Sequence, residues 1–179
     1  MSVGHAARRR ALRGMGALVA SALAACGEAG TREDPLTAEE CLDPAACAEC
    51  HPTHHREWSG SMHAYAGEDP VFRAMNARGQ RETEGALGDF CVRCHAPLAV
   101  EMGLTRDGLN LDEVPAHLRG VTCLFCHSVT RADGDANNPL VRADDGVMRG
   151  GLADPVPTTA HGSVRSSLHD GAVTLSSRL

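Results

Sequence analysis

Lysine is absent from this chain, and aromatic side chains make up only 3% of it: one Trp, one Tyr and three Phe. With no Lys and a single Tyr, few groups remain to deliver protons to a reacting centre. So few aromatics are thin for an ordinary core, because aromatics bring the most buried area per residue. No apolar run, the N-terminal one included, is long enough to span a bilayer. An excess of basic charge is missing too: the formal net charge is −6. All four Arg of the first 25 residues (Arg8, Arg9, Arg10, Arg13) fall where there is no acid, and without them 13 basic residues face 23 acidic ones, a balance of −10. Such a surface does not suit nucleic acid, which needs a basic face. It suits a partner with a basic surface, steered by charge.

What the chain does have is cysteine and histidine, 8 and 10 in 179 residues. Six of the Cys fall in three strings: Cys47-Ala48-Glu49-Cys50-His51, Cys91-Val92-Arg93-Cys94-His95 and Cys123-Leu124-Phe125-Cys126-His127. Each is Cys-x-x-Cys-His, the attachment signature of c-type haem. On one turn of helix, positions i, i+3 and i+4 share a face. Two sulfurs so placed reach the two vinyl groups of a porphyrin, and the His behind them binds the iron from the proximal side. The other reading is zinc, which Cys and His at this spacing also bind. Zinc sites take four ligands per ion, and three separate strings each ending in His do not divide into fours. Three covalent haems, held by these nine residues with His51, His95 and His127 as proximal ligands, are therefore expected. They would also supply the bulk that the missing aromatics do not, and the haem-free chain should fold poorly.

Residues 1–25 have the form of an export signal: Arg8-Arg9-Arg10, then a short apolar run from Ala17 to Ala25. It closes on Leu23-Ala24-Ala25-Cys26, which resembles the lipobox of bacterial lipoproteins, where the Cys is lipidated. A plain cleaved signal is the other reading. Lipidation at Cys26 implies a membrane-anchored protein on the periplasmic or outer cell-surface side. Residues 26–46 read as a polar tether. It contains Cys41, which either pairs with Cys26 or remains a thiol. Residues 47–179 form the expected trihaem domain.

Within it, residues 51–65 can continue as helix, with Trp58 packing on a porphyrin or in the core. Asp69-Pro70 opens a second helix with Asp as N-cap and Pro at N1, an apolar stripe of Val71, Phe72 and Met75, and Gly79 as its stop. A short helix runs from Pro97 to Met102, Thr105 to Pro115 is loop, and the third string lies on a further helix. After Ser128 turn residues dominate, and irregular structure is expected. With few apolar residues at any regular period, residues 128–179 should pack loosely, as in a C-terminally truncated or shortened chain.

The stretch from Cys47 to Val129, extending towards His169, resembles the multihaem cytochrome c family that includes cytochrome c554. That family is related in haem packing to hydroxylamine oxidoreductase and the multihaem nitrite reductases. Beyond the strings, the resemblance is carried by Glu57-Trp58-Ser59-Gly60-Ser61-Met62-His63-Ala64, by Asp69-Pro70-Val71-Phe72 and by Gly120-Val121-Thr122. It implies a mainly α fold with long irregular loops and a core built around closely stacked haems that pass electrons. Most relatives are longer and carry four or more haems.

The second face of each iron decides its chemistry: a second His gives a low-potential electron carrier, whereas an open face permits ligand binding. His63 matches the family's His in the Trp-x-x-Ser-Met-His run and is the first distal candidate. His161, His169 and His117 are the others; His54 and His55 are expected to face solvent. Two function classes follow. One is electron transfer, with redox partner proteins such as other cytochromes or a membrane quinol-oxidising complex. The other is an oxidoreductase, or a fragment of one, acting on small nitrogen compounds at an open iron. No cluster of proton donors supports the second, so electron transfer is preferred and no catalytic residue is assigned.

Overall fold

The computed structural model describes residues 34–134, 137–152 and 160–166. The expected signal, Cys26 and His169 lie outside the described residues. In order, the elements are α1 (Ala38–Leu42), α2 (Ala45–Ala48), α3 (Pro52–Ser59), α4 (Pro70–Glu82), α5 (Val92–His95), α6 (Pro97–Glu101), α7 (Cys123–His127), β1 (Val129–Ala132), β2 (Leu140–Arg142), β3 (Val147–Gly150) and β4 (Gly162–Arg165). Single 3₁₀ turns at Leu111–Glu113 and Ala116–Leu118 interrupt the loop between α6 and α7.

The stretch expected to be a tether is structured from Thr37. A capping box opens α1: the Glu40 N–H donates to Thr37 Oγ1 at 3.2 Å, and the Thr37 N–H donates to Glu40 Oε2 at 2.8 Å. Each end of that exchange satisfies an amide that the first turn leaves unpaired. Cys41 is buried on this helix.

As expected, α4 opens at Asp69, whose carboxylate accepts from the Phe72 N–H at 2.7 Å, with Pro70 at the first helical position. Its expected stop at Gly79 is not one: the helix runs to Glu82 and is capped by Thr83. The loop after the helix folds back over Gly79, where a Cβ would stand 2.6 Å from the Leu87 side chain. This glycine therefore serves a close approach rather than a helix end. The buried amides of Asn76 and Gln80 hold the adjacent loops to α4, donating to Asp107 O at 2.7 and 3.1 Å, and Gln80 also to Gly88 O at 2.6 Å.

One apolar cluster joins Phe72, Val92, Ala96, Leu98, Ala99, Leu111, Val114, Leu118 and Phe125. It contains only two aromatics. Its members come from α4, α5, α6, α7 and the loop between α6 and α7.

The described part of the expected irregular region holds two small sheets instead. β1 and β2 pair antiparallel, and β3 and β4 pair parallel in the register Val147–Gly162 to Gly150–Arg165. The fold is thus mixed, with seven α-helices and four short strands among the described residues, rather than helix and loop alone. Strands of three or four residues are too short to display the alternation by which a sequence reveals them.

Candidate haem sites

The three strings are held differently. The third lies wholly on α7, which Thr122 caps by accepting from the Phe125 N–H at 3.3 Å. In the second, Cys91 is the N-cap of α5 and the rest is helical. The first is broken: Cys47 lies in α2, while His51 caps α3 ahead of Pro52. In each of the two helical strings one intervening residue turns inward, while Arg93 is exposed and Leu124 half-buried. Val92 and Phe125 are buried in the core, whereas Cys94 and Cys126 are exposed. Their partners Cys91 and Cys123 are half-buried, and each pair occupies the i and i+3 positions that share one face of a helical turn.

His95 is fixed on two sides. Its ring stacks on Phe72, with centres 3.9 Å apart and planes 8° from parallel. Its Nδ1 lies 2.8 Å from Ala66 O. A carbonyl only accepts, so Nδ1 carries the proton and Nε2 is left with its lone pair. His127 repeats the pattern, donating from Nδ1 to Arg149 O in β3 at 2.8 Å. Metal-binding histidines are commonly oriented by such a bond from the other ring nitrogen.

Two apolar clefts flank the second string. One, of about 450 Å³, is lined by Phe72, Met75, Asn76, Phe90, Cys91, Cys94, His95 and Asn137. The other, of about 630 Å³, includes Met62, His63, Ala66, Val71, Phe72, Met75, Cys94, His95 and Val121. Met62, Val71, Met75 and Phe90 are each more than half exposed, an unusual cost in apolar surface for four side chains around one string. The expected stripe of Val71, Phe72 and Met75 thus faces the cleft more than the core: only Phe72 is buried. Burial also raises the Cys94 thiol above its ordinary pKa.

The first and third strings come together. The Cys47 and Cys123 thiols share a hydrogen bond that raises Cys47 and lowers Cys123. His51 is lowered from its ordinary pKa, first by burial and then by the nearby His161, His54 and His127. Its ring centre is 6.1 Å from that of His54 and 6.3 Å from that of His161.

The remaining candidates scatter. His63 is exposed at the mouth of the larger cleft, His117 is half-buried on a 3₁₀ turn, His54 is exposed and His55 lies beside Trp58 with ring centres 5.7 Å apart. The Trp58 indole donates to Val121 O at 2.8 Å, which ties α3 to the approach of the third string. Ala66 O and Arg149 O, which orient two string histidines, were not visible in the sequence, because a backbone carbonyl carries no residue signature.

Paired thiols on helical turns, carbonyl-oriented imidazoles with a bare Nε2, and apolar clefts beside them fit a covalently bound haem, and the class they define is a c-type cytochrome. Residues 46–128, which span all three strings and a little under half of the chain, match the family model of cytochrome c554 and c-prime, a likeness that supports a c-type cytochrome. Proteins of that family are c-type cytochromes, so the likeness points to covalently bound haem c and electron transport. No curated protein and no solved structure matches the chain.

Proposed function

We propose that the chain transfers electrons through three covalent haem c groups, one at each Cys-x-x-Cys-His string, with His51, His95 and His127 as proximal ligands. The observation that carries this reading is the shared orientation of His95 and His127, whose Nδ1 protons are held by backbone carbonyls and whose Nε2 atoms are left for iron. Haem c, when bound, supplies a one-electron iron couple. The chain supplies thioether anchors, fixed imidazoles and apolar walls. Phe72 keeps the His95 ring from turning, and Met62, Val71, Met75 and Phe90 keep water from the second site. His63, on the larger cleft with His95, is the second-face candidate there; His117 and His169 are candidates elsewhere.

Expression with a cytochrome c maturation system, followed by intact mass spectrometry, tests the count. The expected mass is the polypeptide plus three haems, and a bare or zinc-loaded mass overturns the reading.

The anchor is proposed on the sequence alone: Cys26 is lipidated and holds the domain on the periplasmic or outer face of a membrane. Among the described residues no helix is long and apolar enough to cross one. Replacing Cys26 by Ser should move the protein from the membrane fraction to the soluble one. A wild-type protein already in the soluble fraction would refute lipidation.

A further inference from the structure

Asn76 is 1% exposed, among the most completely buried of the polar side chains, yet only its nitrogen end is used. Its Nδ2 donates to Asp107 O at 2.7 Å, while its Oδ1 is closed to solvent and receives no hydrogen bond. A buried acceptor without a donor is costly and rare, and where one persists it calls for a role.

The loop after α6 locks the amide in this sense. The Gly108 N–H donates to Thr105 Oγ1 at 3.0 Å and the Leu109 N–H to Asp107 Oδ1 at 2.9 Å, which hold the turn that brings Asp107 O to α4. Gly108, at φ +71°, packs main chain against the amide: a Cβ there would stand 3.0 Å from both Asn76 Nδ2 and Val92 Cβ. Val92 is the residue that carries the second string into the core. Asn76 thus lies against both loop and string, and with Phe72, Cys91, Cys94 and His95 it walls the smaller cleft, which neither Asp107 nor Gly108 lines. Turning the amide over would set its oxygen against Asp107 O, acceptor against acceptor. The nitrogen therefore stays with the loop, and the oxygen is the negative end of a fixed, uncompensated dipole.

We propose that Asn76 directs the negative end of this dipole towards the haem attached through Cys91 and Cys94 and so lowers its midpoint potential. This rests on the haem reading above. Ferric iron carries one more positive charge than ferrous iron, so a nearby negative pole favours the oxidised form. In an apolar wall such a pole is little screened, and burial and polar groups around the site are among the means by which a protein tunes an iron. Gln80 supplies an internal comparison. One turn further along α4, it also donates to Asp107 O, at 3.1 Å, and also keeps an unpaired buried oxygen, but it lines neither cleft.

The test is redox potentiometry on the full-length, haem-loaded protein. Asn76→Leu removes the dipole and should raise one midpoint of the three. At a fixed solution potential the ratio of reduced to oxidised second haem should rise about tenfold, which for one electron is a shift of about 59 mV. The same shift should appear in a Cys47→Ser/Cys50→Ser background, which lacks the first haem. Asn76→Asp keeps an oxygen at this place and should leave that midpoint at or below its wild-type value. Gln80→Leu breaks the matching loop bond; it should lower the melting temperature, as Asn76→Leu does, and move no midpoint. Unmoved midpoints in Asn76→Leu overturn the proposal. So does an equal shift in Gln80→Leu, which would trace the effect to the loop. A shift seen only at acid pH also overturns it, by assigning the oxygen to the proton of a haem carboxyl group. If Asn76→Leu does not retain its haems, Asn76→Asp decides, and a raised midpoint there refutes the assignment. A wild-type chain whose mass shows no haem overturns the underlying haem reading instead, and that mass tells the two failures apart.

Discussion

His95 is held between a carbonyl oxygen and a parallel phenyl ring, while His51 is surrounded by other histidines. Both end the same five-residue pattern. The second string is built into the apolar cluster, which Val92 enters directly, and its site has two protein-lined clefts. The first string straddles a helix break at Pro52, and its neighbours come from α3, the third string and the His161 segment. The contrast teaches that one five-residue pattern can be held by core packing in one place and lie among histidines from distant chain in another.

The sharpest way to break this comparison is to remove one haem at a time. Replacing Cys91 and Cys94 by Ser should abolish cooperative unfolding, because the apolar side chains of both clefts would face water around the main core. Replacing Cys47 and Cys50 should cost one haem and leave the core melt nearly unchanged. Intact mass with thermal melts of both proteins checks this, and equal melts would show that the sites are equally central.

A smaller effect is expected from Phe72→Ala. Removing a buried aromatic typically costs about 3–5 kcal/mol, and here it also frees the His95 ring. Denaturant unfolding of the loaded protein gives the first quantity, and a changed potential at one haem reports the second. A loss below about 1 kcal/mol would mean that the haem, not Phe72, supports that wall.

The smallest effect belongs to pH in the Cys47→Ser/Cys50→Ser chain, which lacks only the first haem and leaves His51 free to titrate. The folded pKa of His51 lies below its unfolded value, so the fold disfavours the protonated form. Its contribution is therefore intact above about 6.5, the usual histidine value, and is lost as pH falls from there towards the lower folded value. Unfolding curves on either side of that window should differ in that chain and converge when His51→Gln is added to it. Equal sensitivity in both would assign the effect to other groups.

Much of this was legible in the residues. Cys-x-x-Cys-His reveals its chemistry by spacing alone, and Asp69-Pro70 announces a helix because a carboxylate cap and a fixed φ act locally. Gly79 misled because its role depends on Leu87, which the loop brings back over it. The strands after Ser128 were hidden by their shortness and by the turns Asp133-Gly134 and Asn138-Pro139 between β1 and β2. The approach of His161 to His51 depends on a parallel pairing of β3 with β4, and no local pattern encodes that.

Residues 63–67 touch the surroundings of the second and third strings. They follow α3, which His51 caps; Ala66 O holds His95; and the Val121 N–H donates to His63 O at 2.8 Å while the Gly67 N–H donates to Arg119 O at 2.7 Å, just ahead of the third string. A Cβ on Gly120 would overlap Ala64 O, and one on Gly67 would overlap Arg119 O. Main chain therefore meets main chain here, with no side chain between to change rotamer. Electron tunnelling weakens steeply with each added ångström, and a relay tolerates little drift between its stations. Two glycines fasten this junction as a mason sets stone on stone without mortar, so the second and third strings share one main-chain reference point.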